Sequence, residues 1–433
     1  MIALVPHAAC ESHHAWTPEP PVGFSEPASL QGGLESFDAP PGSNCEMRRL
    51  GLIATVALVV ALVIVAVAGD GGPPGQDKRA GDGARSQELR FDKSGWKTDF
   101  AKHNVPLAEF TSGGPPRDGI PPVDEPKPTS QTAAERWLSD REPVLAVEVG
   151  DQVRAYPVQI LVWHEIVNDT LGGRPIAVTY CPLCNSSLVF DRRVGGRTLT
   201  FGTTGNLRSS DLVMWDRQTE SWWQQLSAEA VVGELTGTRL KVLSSQTLSW
   251  ADFKRIHSGG DVLSRDTGVQ HDYGSNPYAR YDQPDSEPFL FEGKADDRLP
   301  PKERVIAIFT EDETVVVPFS RLGRQPVVQT EVDGRPVVVF YKRGVVSPLD
   351  APTIEDSRDV GTAAAFEARA DGRRLGFERR DGGFVDRETG SRWDISGRAV
   401  AGELAGERLA QVRHDEQFWF ALAAFVPDAR IEK

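Results

Sequence analysis

Two cysteines three positions apart, in Tyr180-Cys181-Pro182-Leu183-Cys184-Asn185, are the densest chemistry in this sequence. Pro182 presets φ and removes a backbone donor, and Asn185 tolerates the left-handed conformation that closes a tight turn. The turn brings two sulfurs to one place. As thiolates they are half of a metal site. As a dithiol they exchange electrons. A structural clip of two sulfurs is the third reading. A zinc ribbon needs a second Cys-x-x-Cys, and the sequence has none.

A third ligand follows from the neighbouring pattern. Gly172-Gly173 stands between the runs 165–168 and 176–179, and a two-residue Gly-Gly loop is a hairpin signal. Extended back, that register sets His164 opposite Cys181, with Cβ atoms about 4.5–5.5 Å apart. The expected metal ligands are therefore Cys181, Cys184 and His164. The fourth is open among Met214, whose thioether suits copper, and Asp211, His257 and His271. Two thiolates and an imidazole suit copper or zinc, with copper ahead. No phosphate-binding glycine loop or nucleophile elbow is present, so no nucleotide cofactor is expected. Arg265, Asp266, His271, Tyr273 and Tyr278 crowd the segment after residue 264 and, with Asp211, are candidates for a polar pocket; the bland reading is a solvated loop.

The elements that position these residues read as short β runs broken by Gly, Asp and Asn turns. Helical signals are few: one from Pro157, which suits a first helical turn, and one over 246–256. The expected class is mainly β, a β-rich α+β fold. An internal repeat organises it. Val144-Leu145-Ala146-Val147 recurs 161 residues on as Val305-Ile306-Ala307-Ile308, and Gly173-Arg174-Pro175 as Gly334-Arg335-Pro336. Asp216-Arg217-Gln218-Thr219 and Ser221 recur as Asp386-Arg387-Glu388-Thr389 and Ser391, and Trp250 as Trp419. The expectation is two tandem copies of one antiparallel β unit packed side by side. Shared positions read as scaffold. Cys181, Cys184 and His164 fall on Lys342, Val345 and Gln325, and the stretch 205–210 has no counterpart, so the second copy lacks the site.

The amino terminus differs in kind. Residues 1–46 are rich in Pro, Gly, Ser and His and read as a disordered leader, one that translation from Met47 would remove. Over 47–68, Arg48-Arg49 precedes an apolar run ending Ala66-Val67-Ala68, the order of a signal peptide or an N-terminal membrane anchor. Residues 69–112 read as a flexible tether, 113–301 as the first repeat unit with the inter-repeat loop, and 302–433 as the second. The expected location is extracytoplasmic, secreted or anchored. A net charge of −14 argues against nucleic acid and anionic membrane surfaces as partners, leaving membrane contact to the N-terminal segment alone. The partner expected is an extracytoplasmic small molecule or protein.

Taken together, Trp163-His164-Glu165-Ile166-Val167-Asn168-Asp169, Tyr180-Cys181-Pro182-Leu183-Cys184-Asn185, Asp211-Leu212-Val213-Met214, Ser264-Arg265-Asp266-Thr267-Gly268 and Asn276-Pro277-Tyr278 resemble the exported bacterial and archaeal family of domain of unknown function 3179. The resemblance runs from about residue 113 to the C-terminus. It implies export and brings no established activity. Three functional readings stay open: a metal protein acting as carrier or oxidoreductase, a metal-free thiol/disulfide redox protein using Cys181 and Cys184, and a non-enzymatic binding module with a structural Cys-x-x-Cys.

Overall fold

Runs of β-branched residues bounded by Gly and Asp turns form the strands, as their pattern implies. The computed structural model describes residues 90–432; the leader and the apolar segment at 47–68 lie outside the described residues. The first half contains β1 (Pro143–Val149), β2 (Gln152–Pro157), α1 (Val158–His164), β3 (Ile166–Leu171), β4 (Arg174–Cys181) and β5 (Ser186–Asp191). There follow β6 (Phe201–Arg208), β7 (Asp211–Asp216), β8 (Trp222–Gln224), β9 (Glu229–Val232), β10 (Lys241–Leu243), β11 (Ser245–Ser249), α2 (Trp250–Ile256) and β12 (Asp261–Leu263). Three sheets result, ordered β11-β1-β2-β12, β10-β5-β4-β3 and β6-β7-β8-β9, with short strands added at the edges of the first and third. All pairs are antiparallel except β2 with β12.

The second half contains β13 (Arg304–Phe309), β14 (Thr314–Pro318), α3 (Phe319–Leu322), β15 (Val327–Val332), β16 (Arg335–Lys342) and β17 (Thr362–Glu367). After these come β18 (Phe377–Arg380), β19 (Gly383–Asp386), β20 (Arg392–Trp393), β21 (Ala399–Ala401), β22 (His414–Phe418), α4 (Trp419–Phe425) and β23 (Arg430–Ile431). Its sheets are ordered β22-β13-β14-β23, β15-β16-β17 and β18-β19-β20-β21, the pairing order of the first half, again with one parallel pair, β14 with β23. The Asp-Arg-x-Thr-x-Ser turns are built alike. Asp216 accepts from Thr219 N at 2.7 Å and from Trp223 Nε1 at 2.9 Å; Asp386 accepts from Thr389 N and Trp393 Nε1 at the same distances. Both carboxylates are buried, and these bonds satisfy them.

The halves are not separate bodies side by side. Trp250 and Phe253 of the first half share a core with Phe340, Phe366 and Trp393 of the second. Phe418 and Phe420 of the second half lie in the core that holds Cys181 and Cys184. Burying such faces against each other is what each half lacks alone. The tether expected over 69–112 is a folded arm from residue 90 onward. Residues 110–112 pair with β6, and Phe91, Trp96, Phe100 and Phe110 surround Trp222 with ring centroids 5.1–5.4 Å away. Aromatic residues spaced among polar ones carry no period, so only their shared target, Trp222, reveals the arm. Among the described residues no helix is long and apolar enough to cross a membrane.

Candidate metal centre

Gly172 and Gly173 form the expected two-residue hairpin, with φ of 53° and 72°, and the register runs from Leu171 opposite Arg174 to Ile166 opposite Thr179. It does not extend to His164. Pro157 caps α1, which runs through His164, and Glu165 ends it with φ at 57°. Nearly every α1 residue is buried, so the helix carries no amphipathic stripe to separate it from a strand. His164 consequently points elsewhere. Its Nδ1 lies 2.7 Å from Pro121 O and its Nε2 2.6 Å from the Tyr273 hydroxyl, so both ring nitrogens are engaged away from the sulfurs.

The cysteines do come together. Residues 182–185 are the loop between β4 and β5, closed by Asn185 N donating to Pro182 O at 3.3 Å, with Asn185 left-handed at φ 51° as its type suggests. Phe418 N donates to Cys184 O at 2.9 Å, and the Tyr281 hydroxyl donates to Leu183 O at 3.1 Å. The second half and the inter-repeat loop thus brace the turn. Both thiols are free and buried, with Cys181 1% and Cys184 0% exposed.

The third member is Asp211, which opens β7. Ligand atoms of Cys181, Cys184 and Asp211 all lie within 4.8 Å of one another, the one such group of His, Cys, Asp or Glu among the described residues. Asp211 Oδ1 lies 3.5 Å from Cys184 Sγ, which also donates to Ser210 O at 3.4 Å. Asp211 Oδ2 accepts from Gln224 Nε2 at 2.5 Å and Leu226 N at 3.0 Å. One oxygen is anchored while the other faces the sulfurs, the arrangement by which outer hydrogen bonds orient a ligating carboxylate. Ser209 and Ser210 make the turn into β7 with φ of 52° and 64°. The corresponding turn of β18 and β19 uses Asp381-Gly382, the residues that such a turn favours. Two serines held left-handed are strained, and they carry the Ser210 carbonyl and Asp211 over the sulfurs.

Glu165 belongs beside this group and was not singled out by its sequence. It is 8% exposed, and only burial and the Asp211 charge act on its carboxyl, pushing it up to about 8. Burial likewise raises Asp211 to about 6, though its hydrogen bonds oppose this. Burial pushes both thiols up, Cys184 well above the ordinary thiol value. The Tyr278 hydroxyl is also raised, by burial first and then by the charges of Glu165 and Cys181, which places this tyrosine at the same site. No Lys or Arg forms an ion pair with any of these acids among the described residues. The result is four acidic groups gathered in a dry place without a protein cation.

The other candidates are placed differently. Met214 is fully buried between Thr203 and Trp223, three residues along β7 from Asp211 and so on the opposite strand face, where it fills the core. His271 stacks on Trp163, with ring centroids 4.8 Å apart. His257 follows α2, 3.8 Å from Glu148. Asp266 pairs with Lys127 at 2.7 Å on the exposed surface, which is the solvated-loop reading. Arg265 lies over Trp137, 4.8 Å from the ring centre, and donates to Gln159 Oε1 at 3.0 Å. Arg265 and Tyr273 line a separate cavity of about 560 Å³ with Trp137, Glu142 and Glu355. Asp211, Asp266, His271, Tyr278 and the two cysteines are not among the residues that line it.

The family model described as a protein of unknown function, DUF3179, matches residues 117–429, more than half of the chain. This chain belongs to the DUF3179 family. No curated protein and no solved structure matches it. In this DUF3179 member, Cys181, Cys184, Asp211 and Glu165 all lie within the matched residues.

Proposed function

We propose that this DUF3179 protein binds a divalent metal ion through Cys181, Cys184 and Asp211, with zinc ahead of copper. The observation that carries the reading is the buried triad of ligand atoms within 4.8 Å, its carboxylate already oriented by Gln224 and Leu226. The donor chemistry moves the choice of metal. Met214, whose thioether favoured copper, and His164 lie away from the sulfurs, and the oxygen donor that replaces them suits zinc better than copper(I). Burial behind Tyr281 and the turn points to a slowly exchanging site rather than to a carrier that hands its ion on.

The thiol/disulfide reading is less well supported. Reactive cysteines sit partly exposed in electropositive surroundings, whereas these are buried among acids with their thiols pushed up. Export through the segment 47–68 remains part of the proposal, as does an extracytoplasmic partner.

Elemental analysis and a free-thiol count on one sample purified from the cell envelope test the reading. About one equivalent of zinc, lost in Cys181→Ser, is expected. Metal-free protein with a stable disulfide overturns it.

A further inference from the structure

Arg265, Thr267 and Tyr273 have no part in the metal centre, yet the fold fixes them closely. The Tyr273 hydroxyl lies 2.6 Å from both His164 Nε2 and Thr267 Oγ1. Arg265 lies over the Trp137 ring and donates from Nε to Gln159 Oε1 at 3.0 Å and from Nη2 to Trp137 O at 3.1 Å. Gly274 carries a φ of 102°, and a Cβ there would stand 3.5 Å from Arg265 Nη2, so bare backbone forms the wall beside the guanidinium. The second half braces this wall: Ile354 N donates to Gly274 O at 2.9 Å and Asn276 N to Pro352 O at 2.8 Å. These bonds frame the cavity of about 560 Å³, a size that small-ligand sites share. Its walls come from three stretches of chain bonded to one another, so it is formed before any ligand arrives.

The lining carries charges that the protein leaves unmatched. Arg136, Glu142, Arg265, Asp272 and Glu355 line the cavity, and among the described residues none of them is in an ion pair. Glu135, the remaining charged residue of the lining, pairs outward with Lys254 at 3.0 Å. Arg265 and Glu142 are held apart by a single amide. Gln159 Oε1 accepts from Arg265, while Gln159 Nε2 donates to Glu142 Oε2 at 2.7 Å. Opposite charges kept from contact forgo the attraction that pairing would give. Arg265 Nη1 has no hydrogen-bond partner among the described residues, so the oriented guanidinium keeps donors free.

We infer that this cavity binds a small zwitterion, of the class of a short peptide with both termini free, Arg265 taking the carboxylate and the acids the ammonium. Three acids repel a simple anion and two arginines repel a simple cation, whereas a ligand with both signs satisfies both sets. The guanidinium fork matches a carboxylate, and its stacking on Trp137 fixes its direction beforehand. His164 serves this cavity as a positioning residue, through its bond to the Tyr273 hydroxyl. Neither cysteine nor Asp211 lines the cavity, so peptide binding here needs no metal.

The test is isothermal titration of the full chain, with chelator present, against L-alanyl-L-alanine, its N-acetyl form, its C-terminal amide and glucose. The dipeptide should bind, and either blocking group should weaken it by at least about tenfold, since each removes one charge that the lining meets. Arg265→Gln should weaken the dipeptide by a similar factor and leave the amide unchanged. The double variant Asp272→Asn, Glu355→Gln, which alters two exposed side chains, should weaken the dipeptide and leave the N-acetyl form unchanged. A structural role for these residues would instead lower every affinity together. Thermal melts check that each variant folds, and if Arg265→Gln does not, the blocked peptides on the native chain decide. No binding of the dipeptide overturns the inference. So do equal affinities for the free and blocked peptides, or binding of glucose in place of the dipeptide, which would make this a site for a neutral polyol.

Discussion

Replacing Glu165 with glutamine should change how the stability of the metal-free protein depends on pH. The folded protein holds the Glu165 proton up to about pH 8, while the unfolded chain releases it near 4.5. Between those values the folded state binds more protons than the unfolded one, so stability falls as pH rises through the window. At about 1.36 kcal/mol per pH unit the gap converts to roughly 5 kcal/mol, an upper figure because water entry softens the penalty of a buried charge. That is a large share of the 5–15 kcal/mol typical of a folded domain. Other buried acids, Asp211 raised to about 6 and Glu142 to about 7, tilt the native profile the same way. The difference between native protein and Glu165→Gln isolates Glu165 to first order. Urea midpoints at pH 5, 6, 7 and 8, with chelator and reductant present, give that difference. The variant should match the native protein within about 1 kcal/mol at pH 5 and exceed it by roughly 2–5 kcal/mol at pH 8. Parallel profiles would refute the reasoning, because they would mean that the carboxyl is solvated in the folded state.

Three further outcomes follow from the same structure. His164→Ala should retain the full metal stoichiometry of the native chain and lose about 1–3 kcal/mol of stability, since it removes the bonds to the Pro121 carbonyl and to the Tyr273 hydroxyl, which keeps Thr267 as a partner; loss of metal at unchanged melting would restore His164 as a ligand. Ser209→Gly should raise stability by up to about 1 kcal/mol in urea titration, because glycine accepts the left-handed φ of 52° that serine resists. Residues 113–301 expressed alone should give poorly dispersed amide resonances, since Phe340, Phe366 and Trp393 complete the core around Trp250; a cooperatively melting fragment would contradict the shared core.

Much of this was legible in the chain itself. Gly172-Gly173 set the β3–β4 register, Asn185 closed the cysteine turn as its type allows, and Pro157 opened α1. Local backbone chemistry decides such features, so residue type suffices. The recurrence at 161 residues marked Cys181 and Cys184 as without counterparts in the second half. His164 was misplaced because the change from strand to helix occurs in a fully buried run, where neither period leaves a polar side to read.

The ligand set was a different matter. Asp211 stood among four candidates, and only the packing of β7 against the β4–β5 turn chose it. Glu165 was invisible, although its signal was present: a proline occupies its place in the second half. Sequence by itself determined the strands, the turns and the two sulfurs, because each depends on neighbours along the chain. The tertiary structure alone decided which acids join them, because burial, repulsion between carboxyls and a missing counter-charge are properties of side chains brought together from distant positions.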